Sequence, residues 1–83
     1  MWRLYRTSDD YLKEPFYTLI DPSGKYNYRW KILGNLHHVL TNFESLCEEY
    51  SIYPKKANFV LLTETDDKFS ILSAIENYPE LFL

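Results

Sequence analysis

The feature that most constrains this chain is the spacing of apolar residues between Leu36 and Tyr50. Apolar side chains recur there at helical intervals, at Leu36, Val39, Leu40, Phe43, Leu46, Cys47 and Tyr50. Such spacing places every member on one stripe of an α-helix. We therefore predict an amphipathic helix over residues 35–50, with Asn35 as its N-cap. An alternative start near Trp30 would carry the helix through Gly34, at a cost of about 1 kcal/mol.

The residues before this helix predict three strands. Residues 2–7 and 16–21 form the first two, and Asp21-Pro22-Ser23-Gly24 has the chemistry of a type I turn that leads into the third, residues 25–33. The third strand alternates, with Tyr26, Tyr28, Trp30 and Ile32 on one face and Lys25, Asn27, Arg29 and Lys31 on the other. If Asp21 pairs with Gly24, Tyr17 faces Tyr28 and Leu19 faces Tyr26.

The C-terminal part predicts one more strand and one more helix. Residues 58–63 are an apolar run without alternation, which favours a central strand covered on both faces. A helix then starts at residues 65–67, buries Ile71, Leu72, Ile75 and Tyr78, and ends at Pro79. The expected fold is α+β, in the order β-β-β-α-β-α, as a small antiparallel or mixed three- to four-stranded sheet with two helices on one face.

Length and composition limit the class of protein. A chain of 83 residues with 46% hydrophobic residues and fifteen aromatic rings is expected to form a single globular domain over residues 1–83. One cysteine, Cys47, excludes a disulfide scaffold. No apolar segment follows the N-terminal basic residues, and none approaches the length of a membrane span, about 20 residues. These features predict a cytoplasmic protein.

The sequence contains no recognisable catalytic chemistry. His37 and His38 are adjacent, so on a helix they point about 100° apart and cannot readily share a metal ion. Cys47 lies on the apolar stripe, where we expect it to be buried and unreactive. The acidic pairs are accounted for by helix starts, helix ends and turns. We therefore predict no enzyme activity, no metal site and no cofactor.

Elimination leaves a small protein-binding module as the main hypothesis: a regulator, adaptor or inhibitor that acts by occupying a surface. Tyr, Trp and Arg dominate binding hot spots, and a chain this short cannot bury fifteen rings. The partner is another protein or, in a homodimer, a second copy of the chain. The candidate partner-binding residues are Tyr5, Arg6, Tyr11, Phe16, Lys25, Arg29, Lys31 and Tyr53.

Charge placement supplies two alternatives. Residues 1–34 carry a net charge of +2 and residues 35–83 a net charge of −5. A nucleic-acid-binding domain would use Arg3, Arg6, Lys25, Arg29 and Lys31, although the overall pI near 5.2 disfavours it. An acidic mimic that blocks a nucleic-acid-binding protein would instead use Glu44, Glu48, Glu49, Asp66 and Asp67. Binding to a membrane is not expected.

Overall fold

The computed structural model describes residues 1–8, 14–49 and 58–77. Their elements are β1 (Trp2–Ser8), β2 (Phe16–Ile20), β3 (Tyr26–Trp30), a 3-10 turn (Leu33–Asn35), α1 (Leu36–Thr41), α2 (Phe43–Leu46), β4 (Glu48–Glu49), β5 (Asn58–Thr65) and α3 (Ser70–Asn77). The strands form one antiparallel sheet in the order β4-β3-β2-β1-β5. The predicted α+β class is confirmed, but the sheet has five strands rather than three to four, in the order β-β-β-α-β-β-α.

The turn between β2 and β3 follows the predicted chemistry. The Gly24 amide donates to the Asp21 carbonyl at 3.0 Å, and Gly24 adopts a positive φ of 75°, which glycine tolerates without a Cβ clash. The Asp21 carboxylate accepts from the Ser23 hydroxyl and from the Tyr26 amide. The register is nevertheless two residues from the predicted one, because Asp21 is bonded to Tyr26 rather than paired with Gly24.

This two-residue shift changes which residues of β2 and β3 pair with each other, but each side chain stays on its predicted face of the sheet. Tyr17 pairs with Trp30 and Leu19 with Tyr28, where Tyr28 and Tyr26 were expected. Successive strand residues alternate between faces, so a slip of two keeps each side chain on its own side. The third strand is also shorter than predicted: it ends at Trp30, and Ile32 beyond it is 65% exposed.

The core lies on one face of the sheet, called here the helix face. Leu4 and Leu19 pair across β1 and β2, and the helical segments cover them together with Trp30. The buried cluster consists of Leu4, Leu19, Trp30, Leu36, Val39, Leu40, Phe43 and Ile71. The predicted helical stripe is therefore correct in its buried residues as far as Phe43.

The predicted helix over residues 35–50 is not continuous. It breaks at Asn42, whose side-chain amide donates to the His38 carbonyl at 2.9 Å and whose backbone lies at φ −112° and ψ 18°. Asparagine competes in this way for the backbone groups that a helix needs. Asn35 does occupy the predicted N-cap position before Leu36, at the end of the 3-10 turn, but its side chain makes no cap hydrogen bond.

The segment after α2 also differs from the prediction. Cys47 is extended, and Glu48–Glu49 form β4, which pairs with Asn27 and Tyr26 of β3. Cys47 is half-buried rather than fully buried. Tyr50, the last member of the predicted stripe, lies outside the described residues.

Strand β5 lies at an edge of the sheet, so its predicted central position is wrong. It pairs with β1 on one side, and no other described strand pairs with it. A bulge opposite Leu4 and Tyr5 leaves Leu62 as the extra residue, and Leu62 packs against the core. Phe59, Val60 and Leu61 are 37%, 53% and 47% exposed.

Helix α3 begins at Ser70, five residues later than Thr65. The Asp67 carboxylate accepts from the Phe69 amide at 3.1 Å in the turn before the helix, and the first turn of α3 itself contains no acidic residue. Ile71 is fully buried, and Leu72 and Ile75 are partly buried against the core. Tyr78 and Pro79 lie outside the described residues. None of the helices in the described ranges is long and apolar enough to cross a membrane.

The buried position in α3 can be tested with a matched pair of isoleucines. Ile71 is fully buried and Ile32 is 65% exposed. We expect Ile71→Val to lower the free energy of unfolding by about 0.5–1.5 kcal/mol, because one buried methyl group is lost. Ile32→Val serves as the control and should change it by less than about 0.5 kcal/mol. Urea denaturation measures both, and equal effects would contradict this core.

Candidate functional site

The two edges of the sheet have opposite character. At one edge β4 is only two residues long and consists of two exposed glutamates. At the other edge β5 extends over eight residues and exposes the apolar side chains of Phe59, Val60 and Leu61. Short charged edge strands block pairing with another chain, whereas long apolar ones permit it. The β5 edge, defined by Phe59, Val60 and Leu61, is therefore the first candidate surface.

On the face of the sheet opposite the helix face, side chains of β1 pack against the β5 edge. Tyr5 of β1 pairs with Leu61 and meets the Phe59 ring edge to face, with 5.9 Å between ring centroids. Further into the same face, the hydroxyls of Thr7 and Thr18 are hydrogen-bonded at 3.1 Å, and both residues are fully buried. This face is therefore closed to solvent at its centre and open at the β5 edge.

A second candidate surface is a groove at the start of β2 and the end of β3. It has a volume of about 290 Å³ and is lined by Phe16, Arg29, Trp30 and Lys31. Arg29 Nε donates to Asn27 Oδ1 at 3.2 Å, which orients the guanidinium group. Trp30 is held by Tyr28, whose ring stacks on it at 6.0 Å and 15°. The groove thus combines two cations with aromatic surface.

The structure brings together only some of the predicted partner-binding residues. Phe16, Arg29 and Lys31 share the groove, whereas Tyr5 lies beside the β5 edge. Lys25 is exposed in the turn, and Arg6 lies on the helix face, where its Nη2 is buried without a hydrogen-bond partner in the described part of the chain. Tyr11 and Tyr53 lie outside the described residues.

The two charge-based alternatives gain little support from the geometry. Arg6 pairs with Tyr17 and Arg29 pairs with Thr18, which puts the two arginines on opposite faces of the sheet. Arg3 is already paired with Glu64 at 3.5 Å. The five basic residues therefore do not form one surface.

The acidic candidates are similarly divided among different elements. Glu44 lies in α2, Glu48 and Glu49 form β4, and Asp66 and Asp67 precede α3. Glu44 binds the Lys68 ammonium at 3.2 Å, which reduces the charge that it presents. A mimic of nucleic acid needs its charges on one continuous surface, and the described contacts do not establish one.

A third feature is a cavity of about 350 Å³ that sequence reasoning did not predict. It lies where Trp2 of β1, Asp21 and Tyr26 of the hairpin, Phe43 and Glu44 of α2, and Cys47 come together. The Trp2 and Phe43 rings meet nearly at right angles, at 86° and 4.8 Å. These residues are distant in sequence, so no local motif could have shown their convergence. The cavity is called here the aromatic cavity.

Lys68, two residues before the start of α3, contacts residues that line the aromatic cavity. Its ammonium group lies 3.2 Å from Glu44 Oε1, 5.3 Å from the centre of the Trp2 ring and 5.5 Å from that of Phe69. A hydrogen bond from its own backbone and the bond from Lys68 together lower the pKa of Glu44. Glu44 is therefore ionised at neutral pH.

The described residues offer little for catalysis or for metal binding. Among them no three His, Cys, Asp or Glu side chains are grouped to hold a metal ion. The Cys47 thiol lies 3.6 Å from the Glu44 carbonyl, and no cationic partner for it is described. A reactive thiolate requires such a neighbour.

No protein-family model, curated protein or solved structure matches this chain.

The Glu44–Lys68 pair predicts a pH-dependent contribution to stability. A carboxylate whose pKa is lowered on folding stabilises the protein above its unfolded pKa, near 4.5, and this contribution is lost as the pH falls through the folded value. Because the pair is exposed, we expect Glu44→Gln to lower the free energy of unfolding by less than about 1 kcal/mol at neutral pH.

The same substitution should have a smaller effect at lower pH, because protonation of Glu44 removes this contribution. Urea denaturation at about pH 7 and about pH 3 measures this difference. Glu76→Gln, an exposed carboxylate on α3, is the control and should change neither value. A loss for Glu44→Gln that is equal at both pH values would contradict the electrostatic explanation.

Proposed function

We propose that this domain is a non-enzymatic protein-binding module that takes up an extended segment of another protein along the β5 edge. The observation that carries the proposal is the exposure of Phe59, Val60 and Leu61 on a long edge strand. Main-chain hydrogen bonds to such an edge provide affinity, and side chains on alternate positions provide specificity.

The side chains of β5 favour an apolar partner strand. Phe59 and Leu61 lie on the face that carries Tyr5, and Val60 lies on the other face beside Arg6. The only charged residue of β5 is Glu64, which Arg3 already neutralises in part. A partner segment with apolar residues on alternate positions would meet the apolar side chains of Phe59, Val60 and Leu61, and the one charge on β5 is already paired with Arg3.

Selection of a binding peptide provides a test that does not require the natural partner to be identified. Random peptides displayed on phage would be selected on the wild-type domain, and the enriched peptides synthesised and titrated against labelled protein. We expect shifts in the backbone amide signals of residues 58–65 and slower hydrogen exchange along β5. Peptides that instead perturb Phe16, Arg29 and Lys31 would move the binding site to the groove and contradict strand addition at β5.

A matched pair of lysine substitutions tests whether the peptide binds at the β5 edge or binds non-specifically to exposed apolar residues. Leu61 is 47% exposed and Ile32 is 65% exposed. We expect Leu61→Lys to weaken the selected peptide by at least about tenfold, since a charge on an edge strand opposes pairing. Ile32→Lys should bind as the wild type does. Titration calorimetry measures both affinities.

Self-association would be a distinct outcome of the same experiments. If β5 pairs with a second copy of the chain, sedimentation will show a dimer that Leu61→Lys dissociates and Ile32→Lys does not. A dimer of this kind would occupy the edge and replace the proposal of a separate protein partner.

A further inference from the structure

The aromatic cavity has the composition of a site for an organic cation. Three aromatic residues, Trp2, Tyr26 and Phe43, and two acidic residues, Asp21 and Glu44, line it together with Cys47, and no basic residue is among its described lining residues. Ring faces carry negative quadrupole charge and attract cations held within about 6 Å. Its volume of about 350 Å³ is within the usual range for small-ligand sites.

The chain already places one cation against this aromatic cluster. The Lys68 ammonium group lies over the Trp2 ring at 5.3 Å and pairs with Glu44. Lys68 offsets the charge of Glu44, which leaves the charge of Asp21 without a cationic partner in the described part of the chain. One further positive charge would balance the cavity, so charge complementarity favours a monovalent cation.

The hydrogen bonds that the Asp21 and Glu44 carboxylates already make limit the chemical class of the ligand. Asp21 accepts from the Ser23 hydroxyl with both oxygens, at 2.9 and 2.8 Å, and from the Tyr26 amide at 3.2 Å. Both oxygens of Glu44 face the Lys68 ammonium, at 3.2 and 3.4 Å. A ligand with several N–H groups would find few free acceptors, whereas an alkylated ammonium requires none. A hard metal ion would require several oxygen ligands and would not be coordinated by the aromatic rings.

We propose that the aromatic cavity binds a quaternary ammonium group, with Trp2 and Tyr26 as its aromatic wall over the buried Phe43 ring. Asp21 is its counter-charge, because Lys68 already offsets the charge of Glu44. This site is separate from the β5 edge and does not depend on the function proposed for that edge. The same chemistry is present in choline-like small molecules and in trimethylated lysine side chains.

Choline and its uncharged isostere 3,3-dimethylbutan-1-ol are the probes that test the role of charge. The two indole N–H signals of the protein, from Trp2 and Trp30, would be followed by NMR at constant ionic strength. We expect choline to shift the Trp2 signal saturably while the Trp30 signal stays in place. The isostere should bind at least about fivefold more weakly, since it lacks the cation–π term. No saturable shift, or equal binding of the isostere, would overturn the proposal.

Substitutions in the aromatic cavity test the assignment of its wall and its charge. Tyr26 is 45% exposed, so Tyr26→Leu should fold while binding choline about two- to fivefold more weakly. Tyr26→Phe keeps the ring and should bind as the wild type does. Glu44→Gln should weaken binding, whereas Glu76→Gln and Leu61→Lys, which lie outside the cavity, should not. Unchanged affinity in both Tyr26→Leu and Glu44→Gln would overturn the assignment.

A second titration distinguishes the two sources of the group. A short peptide with one trimethyllysine is compared with choline and with the same peptide carrying unmodified lysine. Tighter binding of the trimethylated peptide than of choline supports a modified protein as the source, and the reverse order supports a small molecule. Tighter binding of the peptide with unmodified lysine would overturn the proposal that the ligand is a quaternary ammonium group.

Discussion

The pairing of Leu4 with Leu19 is the interaction on which the rest of this structure depends. Both side chains are fully buried, and β1 and β2 lie at the middle of the sheet. Leu40 and Ile71 of the helical segments belong to the same buried cluster as this pair. On the opposite face, the buried hydrogen bond between Thr7 and Thr18 fixes the same register. A slip of one residue would send the leucines to that opposite face and the threonines into the core.

This central ladder leaves the two sheet edges free to differ. The β4 edge is closed to pairing by Glu48 and Glu49, which lie across from Asn27 and Tyr26. On β5, by contrast, the one charged residue is Glu64, near the end of the strand, and it forms an ion pair with Arg3. A bulge directs Leu62 toward the core while Leu61 stays exposed. One edge of the sheet is therefore short and charged, and the other is long and apolar.

Local patterns in the sequence predicted the parts of the fold that local chemistry decides. The first two strands, the Asp21–Gly24 turn and the buried residues from Leu36 to Phe43 depend on alternation, turn geometry and helical spacing within a few residues. The break at Asn42 was not predicted, because the apolar stripe continues through it. The backbone angles of Asn42 and its side-chain bond to the His38 carbonyl show that the helix is interrupted.

Features of the fold that depend on contacts between residues distant in sequence could not be predicted from local patterns, for a physical reason. The run Phe59-Val60-Leu61-Leu62 has the same pattern whether a strand is buried at the centre of a sheet or exposed at its edge. Its position depends on pairing with β1, which lies more than fifty residues away in sequence. The aromatic cavity depends likewise on three separate segments. Of the candidate site residues, Phe16, Arg29 and Lys31 do meet, because strand alternation and hairpin pairing already place them near one another.

The stability of the domain and its binding surfaces are linked. Trp30 Nε1, Asn27 Nδ2 and Arg6 Nη2 are buried without hydrogen-bond partners among the described residues. A core of this size supplies only about 3–5 kcal/mol of net stability. A ligand that binds only the folded state adds stability in proportion to the logarithm of its concentration over Kd. A partner on β5 would therefore increase the folded population as well as cover apolar surface, so occupancy of the edge and integrity of the core would rise together.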